Sequence, residues 1–299
     1  MERRLKELTV MEFILFILLG FSISMLSGFF GIGGGLVLTP ILLLFGYSPI
    51  EAISTSLMYT IGTSLSGVYA HFKLKNIQWK AAAIMGVSGI AATQFAYPFV
   101  DWLEHNGYDT TVVPILYLAL LTYFAYKMLK QSPDAPRPAY DAGSSGNGWM
   151  KFVFIGFFAG FLSTALGVGG GFIIVPLVIA FYGFNSRQAV ATSLASVILI
   201  VSAGFVTYAV NHPIHFKVGL FLIAGAVIGS QLGARATSYF KSRSIQTLLG
   251  FLYIMTMASL VFDMMKLSLV GLIGLGSYTI FINVFLIVRL LQKKVQVSN

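Results

Sequence analysis

Cysteine is absent from the 299 residues, and with it go disulfides, thiolate nucleophiles and most soft-metal sites. Charge is scarce as well: Asp, Glu, Lys and Arg make up 10% of the chain, against roughly a quarter in a soluble domain. Carboxylates are the rarer sign, 10 against 19 basic residues. HExxH, GxSxG and paired aspartates inside an apolar run are all missing, so neither an enzyme nor a metal or cofactor site is expected. Asp263, alone near the end of an apolar run, is a poor nucleophile. The nucleotide-binding signature GxxxxGK[ST] does not occur. Any transport must therefore draw on gradients, with a proton or a sodium ion as the coupling partner left open.

What is abundant is apolar length. The chain is 57% hydrophobic with a mean hydropathy of +0.85, and apolar runs near or above about 20 residues, the length that crosses a bilayer as helix, recur from end to end. An all-α, multi-pass protein of the cell membrane is expected, with the lipid bilayer as its solvent. The net charge of +9 does not indicate nucleic-acid binding, because excess Lys and Arg in membrane proteins gather in cytoplasmic loops. The opening MERRLKELTVMEF places basic residues before an apolar run, but no small-residue cleavage site follows. The segment reads as retained.

Sliding the chain against itself exposes a duplication. At an offset of 136, Phe16, Gly20, Phe21, Leu26, Ser27, Gly31, Gly33, Gly34, Gly35 and Pro40 fall on Phe152, Gly156, Phe157, Leu162, Ser163, Gly167, Gly169, Gly170, Gly171 and Pro176. One inserted residue moves the offset to 137, pairing Ala52, Thr55, Ser56, Leu57, Gly67 and Gln94 with Ala189, Thr192, Ser193, Leu194, Gly204 and Gln231. The offset then returns to 136 for Tyr117 and Tyr253. The seam, Gln131 to Gly148, is rich in Pro, Gly, Ser and Asp and reads as a linker. Residues 1–130 form the first membrane repeat, 131–148 the linker, 149–266 the second repeat, and 267–299 an additional C-terminal helix and tail. Each repeat contains a glycine-broken segment followed by three spans.

A broken segment of about 35 residues would make roughly 50 Å of helix if it ran straight, so a helical hairpin is the better reading. Two hairpins invert the second repeat relative to the first. Inversion with an external N-terminus places 14 basic residues inside and leaves Arg3, Arg4, Lys6, Lys217 and Lys266 outside, whereas single crossings give a 12 to 7 split. Inverted repeats are therefore favoured, with the basic N-terminus as the counter-indication.

The broken stretches read GIGGG (Gly31, Gly33, Gly34, Gly35) and GVGGG (Gly167, Gly169, Gly170, Gly171). Irregular backbone is tolerated in a membrane only where protein or a wet cavity surrounds it, and paired broken helices mark transporter binding sites. Helices restarting after each stretch would offer amide N–H groups and positive dipole ends to an anion. Close helix packing accounts better for the scattered Gly20, Gly28, Gly62, Gly86 and Gly89. Pro40 and Pro176 are assigned structural roles as kink residues. The matched hydroxyls Thr55 with Thr192 and Ser56 with Ser193 are candidate anion ligands, although a membrane Ser or Thr more often bonds its own helix. Gln94 and Gln231 are expected either to contact substrate or to clamp helices. Glu51 and Arg187, at the mouths of the second spans, are read as surface anchors, and His71, His105, His212 and His215 as loop residues.

The doubled GIGGG…P and GVGGG…P, each followed by STSL (Ser54 to Leu57) or ATSL (Ala191 to Leu194), resemble the TauE/SafE sulfite exporter family, also called the toluene sulfonate uptake permeases. The resemblance covers nearly the whole chain. It implies a secondary carrier of sulfite, an organosulfonate or a related sulfur-containing or organic anion across the cytoplasmic membrane by alternating access. The alternative is an anion channel with a glycine-lined constriction.

Overall fold

A computed structural model describes residues 10–130, 148–212, 214 and 216–298. The linker 131–147, Arg3, Arg4, Lys6, Arg137 and His215 lie outside the described residues, as do the side chains of Lys293 and Lys294. The described residues are helical throughout their length apart from short connections. In chain order the helices are α1 (Val10–Phe30), α2 (Gly35–Leu44), α3 (Pro49–Lys73), α4 (Trp79–His105) and α5 (Asp109–Lys130). After the linker come α6 (Gly148–Leu166), α7 (Gly171–Tyr182), α8 (Ser186–Asn211), α9 (Phe216–Ala236), a short 3₁₀ turn (Thr237–Tyr239), α10 (Ser242–Met264) and α11 (Ser268–Ser298). Eight of these are long and apolar enough to cross a membrane; α2 and α7 are short apolar helices. The one long helix outside the eight is α3, whose Ser and Thr residues lower its hydropathy and whose middle is buried in the protein.

Local chemistry sets the helix starts. Ser48 and Glu51 form a reciprocal capping box at the head of α3, and Asn185 with Gln188 forms another at the head of α8. The residue types differ, yet each pair ties up amides that a helix start would otherwise leave unbonded. Glu51 is thus a cap. Arg187 donates from Nε to the Thr237 carbonyl and from an Nη to the carbonyls of Ser238 and Phe240, closing the turn after α9. The expected loop positions of two histidines are corrected: His71 lies buried in the last turn of α3 and His105 ends α4, because each helix runs several residues past the apolar run. His212 caps α8.

Glycine seams join helices from opposite halves. A Cβ on Gly20 would strike the backbone of Leu222, one on Gly225 that of Ile17 and Phe21, and one on Gly233 that of Met25. So α1 and α9 lie backbone to backbone and run parallel. Gly156 and Gly160 meet Met85 and Gly89 in the same way, making α6 and α4 parallel. Gly28, Gly62, Gly86 and Gly89 also face neighbouring helices, which is the packing role small residues have in membranes. In contrast, α3 and α8 are antiparallel. A Cβ on Gly67 would lie 2.9 Å from Leu194 Cδ1, and one on Gly204 3.4 Å from Leu57 Cδ1. The 137-residue offset turns the first of these contacts into the second.

The direction of the short helices follows. Gly219 meets Met58, Gly62 meets Ile223 and Gly67 meets Ser230, so α3 runs parallel to α9 and hence to α1. Since α1 and α3 point the same way, α2 between them returns. Bonds and contacts from Gln78 to Thr192, Gly86 to Leu199 and Tyr97 to His212 make α4 parallel to α8, so α7 likewise reverses. Each broken segment is a hairpin.

The outer surface is apolar, with exposed Phe95 on α4, Phe154 on α6, and Leu269, Ile280 and Phe281 on α11. All three tryptophans, Trp79, Trp102 and Trp149, are exposed near helix ends, where interfacial indoles anchor a membrane protein. Helix α11 packs on α10, its Tyr278 donating to the Leu248 carbonyl, and Asn283 reaches the Ser22 carbonyl of α1.

Candidate functional site

Helix α1 stops at Phe30 because the next residues leave helical space: Gly31, Gly33 and Gly34 have φ of 74°, 83° and 87°. Gly167, Gly169 and Gly170 repeat this after α6, with φ of 69°, 82° and 67°. These left-handed values strain any residue carrying a Cβ. Gly35 and Gly171 have ordinary φ and are needed for space instead. A Cβ on Gly35 would overlap the Gly167 carbonyl oxygen, and one on Gly171 the Gly31 carbonyl oxygen. The two tips therefore touch, each seated on the other's backbone.

Each tip is also gripped by the opposite half. Gly31 packs against Val190 Cα and Gly167 against Ile53 Cα, positions related by the 137-residue offset. Ser193 Oγ donates to the Gly31 carbonyl at 2.9 Å, and Thr39 Oγ1 to the Gly167 carbonyl at 3.0 Å. Thr63 Oγ1 donates to the Gly33 carbonyl at 2.7 Å. With the carbonyls tied, the first ladder bonds of α2 and α7 come from Val37 and Leu38 to Gly34, and from Ile173 and Ile174 to Gly170. Two helix N-termini, with their positive dipole ends, thus begin at one buried point.

Proline shapes these short helices. Pro40 and Pro176 lack the N–H that would bond the carbonyl four residues earlier, which belongs to Leu36 and Phe172. Tyrosines take those places: Tyr117 Oη donates to Leu36 O at 3.1 Å and Tyr253 Oη to Phe172 O at 2.8 Å. All four residues are buried. Tyr253→Phe should lower stability by about 1–3 kcal/mol, the penalty of a buried carbonyl left unpaired. In a Pro176→Ala background the same change should matter less, because residue 176 then supplies an N–H. A double-mutant cycle of detergent melting temperatures checks this, and equal losses in both backgrounds would refute it.

Ser193, Thr39 and Thr63 are bonded to tip carbonyls. Other buried hydroxyls have no hydrogen-bond partner, among them Ser27, Thr55, Ser56, Thr60, Ser64, Ser163 and Thr164. Thr60 is central. Its Cγ2 lies 2.7 Å from where a Cβ on Gly33 would be and 2.8 Å from one on Gly169, so it stands between the tips. Ser163 borders Gly170. Leaving so many hydroxyls unpaired is unusual, since buried polar groups are nearly always bonded. Apart from tyrosines, the buried ionisable residues among the described ones are His71, bonded to the Gly28 carbonyl, and Asp109; no Lys, Arg or Glu among them is buried. The hydroxyl-rich centre is uncharged.

Of the residues expected at the site, the eight glycines and Ser193 share this centre, and Ser56 is buried on α3 without a partner. Thr55 and Thr192 are buried on the same helices, and Thr192 Oγ1 accepts from the Gln78 amide. Gln94 is placed elsewhere: it is exposed on α4, with Nε2 donating to Thr93 Oγ1. Gln231 is half-buried on α9. Thr60, Thr39, Ser27, Ser163 and the two tyrosines were not among the expected site residues. Ser27 with Ser163 and Tyr117 with Tyr253 were available as matched pairs. Thr60 stood in the Ser/Thr-rich stretch of α3 but was not singled out, because its counterpart is Val197, which shows no match by residue type.

A family model for the sulfite exporter TauE/SafE matches residues 16–260, covering both hairpins and everything between them. The chain belongs to the TauE/SafE family. Relatives include a probable membrane transporter protein of Methanocaldococcus jannaschii, 28% identical over 79% of this chain and 90% of its own length. The probable membrane transporter proteins YunE and YjnA of Bacillus subtilis are 26% and 24% identical, over 85% and 82% of this chain and 98% of each relative. No solved structure matches the chain. Within TauE/SafE this chain is a multi-pass membrane transporter and not an enzyme.

Proposed function

We propose that the chain is a secondary carrier of a small oxyanion, sulfite or an organosulfonate, bound where the two glycine tips meet. The observation that carries this reading is the joint presence at one buried point of two helix N-termini and, beside them, Thr60 and Ser163, whose hydroxyls have no partner. An oxyanion accepts several hydrogen bonds at once, so N–H and O–H donors suit it without a fixed cation. Neutral donors also allow release, which a carrier needs as much as capture. The family name points to sulfite; the site chemistry fits any small tetrahedral or pyramidal oxyanion.

The two repeats are inverted in this proposal, and the tips belong to both. The loop between α4 and α5 is flanked by Asp101, Glu104 and Asp109, whereas its counterpart between α9 and α10 is flanked by Arg235, Lys241 and Arg243. Opposite charge at equivalent turns agrees with opposite membrane faces. The tip residues are buried on every side, so access requires the halves to part, first towards one face and then the other.

Proteoliposome uptake tests the reading. Labelled sulfite or sulfoacetate should enter faster when vesicles are preloaded with the unlabelled anion. Uptake without such counterflow, at rates beyond carrier turnover, would establish a channel instead. Absence of both flux and thermal stabilisation by any sulfur oxyanion would remove the substrate class.

A further inference from the structure

Away from the tips, a cavity of about 570 Å³ opens beside the turn between α9 and α10. Lys241, Arg243 and Arg289 line it, together with the aromatic residues Tyr239, Phe240 and Phe285. The three cations come from three different places: the residue before α10, the first turn of α10, and the distal part of α11. Among the described residues no carboxylate lines the cavity, and the ion pairs comprise only His105 with Asp101. Arg289 is held in place by stacking over the Phe285 ring, 5.6 Å from its centroid. Lys241 gives α10 no side-chain cap, and Arg243 and Ser244 of the first turn line the same cavity.

We propose that this cavity binds the phosphodiester headgroup of an anionic phospholipid. Three unneutralised cations and a helix start match a phosphate, and Arg presents the fork that phosphate oxygens accept. The surroundings select a lipid over a free ion. Helix α11 carries exposed Val284 and Phe281 on turns preceding Arg289, and Phe251 is exposed on α10. Acyl chains have an apolar surface to follow from the same headgroup position. Basic pockets between membrane helices hold such headgroups. In the inverted arrangement proposed above, on which this point rests, the turn lies on the cytoplasmic side, where anionic lipid is found. The site is separate from the oxyanion site and does not depend on that assignment.

Native mass spectrometry of the full-length protein in detergent tests it, with phosphatidylglycerol and phosphatidylcholine of identical chains as probes. Phosphatidylglycerol adducts should outnumber phosphatidylcholine adducts about fivefold or more, and Lys241→Gln/Arg243→Gln/Arg289→Gln should erase the preference. The three side chains are exposed, so the melting temperature should hold, and the single change Arg289→Gln should give an intermediate preference. Lys73→Gln/Lys75→Gln/Lys80→Gln, at another basic turn, should leave the preference intact. Equal adducts for both lipids, retention in the triple variant, or equal loss in the control variant would each overturn the proposal. Displacement of the lipid by millimolar inorganic phosphate would overturn the lipid as occupant and leave a free-phosphate site.

Discussion

Gly35→Ala and Gly171→Ala are each expected to reduce transport to background and to lower the melting temperature by on the order of 5 °C, for the sake of one methyl group. The methyl would overlap a carbonyl oxygen of the opposite tip, and a backbone oxygen cannot swing aside as a flexible side chain can. Overpacking of this kind costs about 1–3 kcal/mol and sometimes more, and a loss of that size moves a large domain by several degrees. Function should suffer beyond stability, because the two tips would be forced apart at the point where they meet. Gly274→Ala is the matched control. It lies in a helix with nothing within 4 Å of the new Cβ, so helix propensity predicts a neutral or slightly stabilising change. Normal uptake by Gly35→Ala or Gly171→Ala would show that contact between the tips is not needed for transport.

Thr60→Val is expected to separate binding from folding. Thr60 Oγ1 is buried and lacks a partner in the protein, so replacing it with a methyl removes an unsatisfied polar group and should leave the melting temperature equal or higher. If the hydroxyl binds the transported oxyanion, apparent KM should rise about tenfold, equivalent to about 1.4 kcal/mol of lost interaction. Ser56→Ala should act in the same direction. Ser193→Ala should differ, because that hydroxyl holds the Gly31 carbonyl, so stability should fall together with transport. Unchanged KM in both Thr60→Val and Ser56→Ala would argue that these hydroxyls serve packing alone.

Much of the architecture was legible because the membrane simplifies the reading. Apolar length marks spans, and a broken helix is conspicuous where every backbone amide must otherwise be bonded. The offset then located both broken segments from the glycines and prolines, and their length pointed to hairpins. Side-chain direction was less accessible. Gln94 sits in an apolar run beside Phe95, and nothing in the run tells which face meets lipid; the packing of α4 between α6 and α8 leaves it exposed. His71 looked like a loop residue because the apolar run ends at Ala70, but the helix continues and turns the ring inward onto Gly28. Thr60 was one hydroxyl among many in its span and was passed over because matching identical residues overlooks a position close to both tips, where Thr and Val face a shared centre.

The sequence by itself determined a multi-pass membrane protein whose helices are interrupted at GIGGG and GVGGG, because hydropathy, glycine and proline act locally and leave their mark in residue order. Only the tertiary structure decided that the two interruptions touch, that Tyr117 and Tyr253 fill the bonds the prolines vacate, and that some hydroxyls are bonded while others are free. Those outcomes depend on which helices become neighbours. That is settled by close backbone approach between residues more than a hundred positions apart, as between Gly35 and Gly167, and no local pattern encodes it.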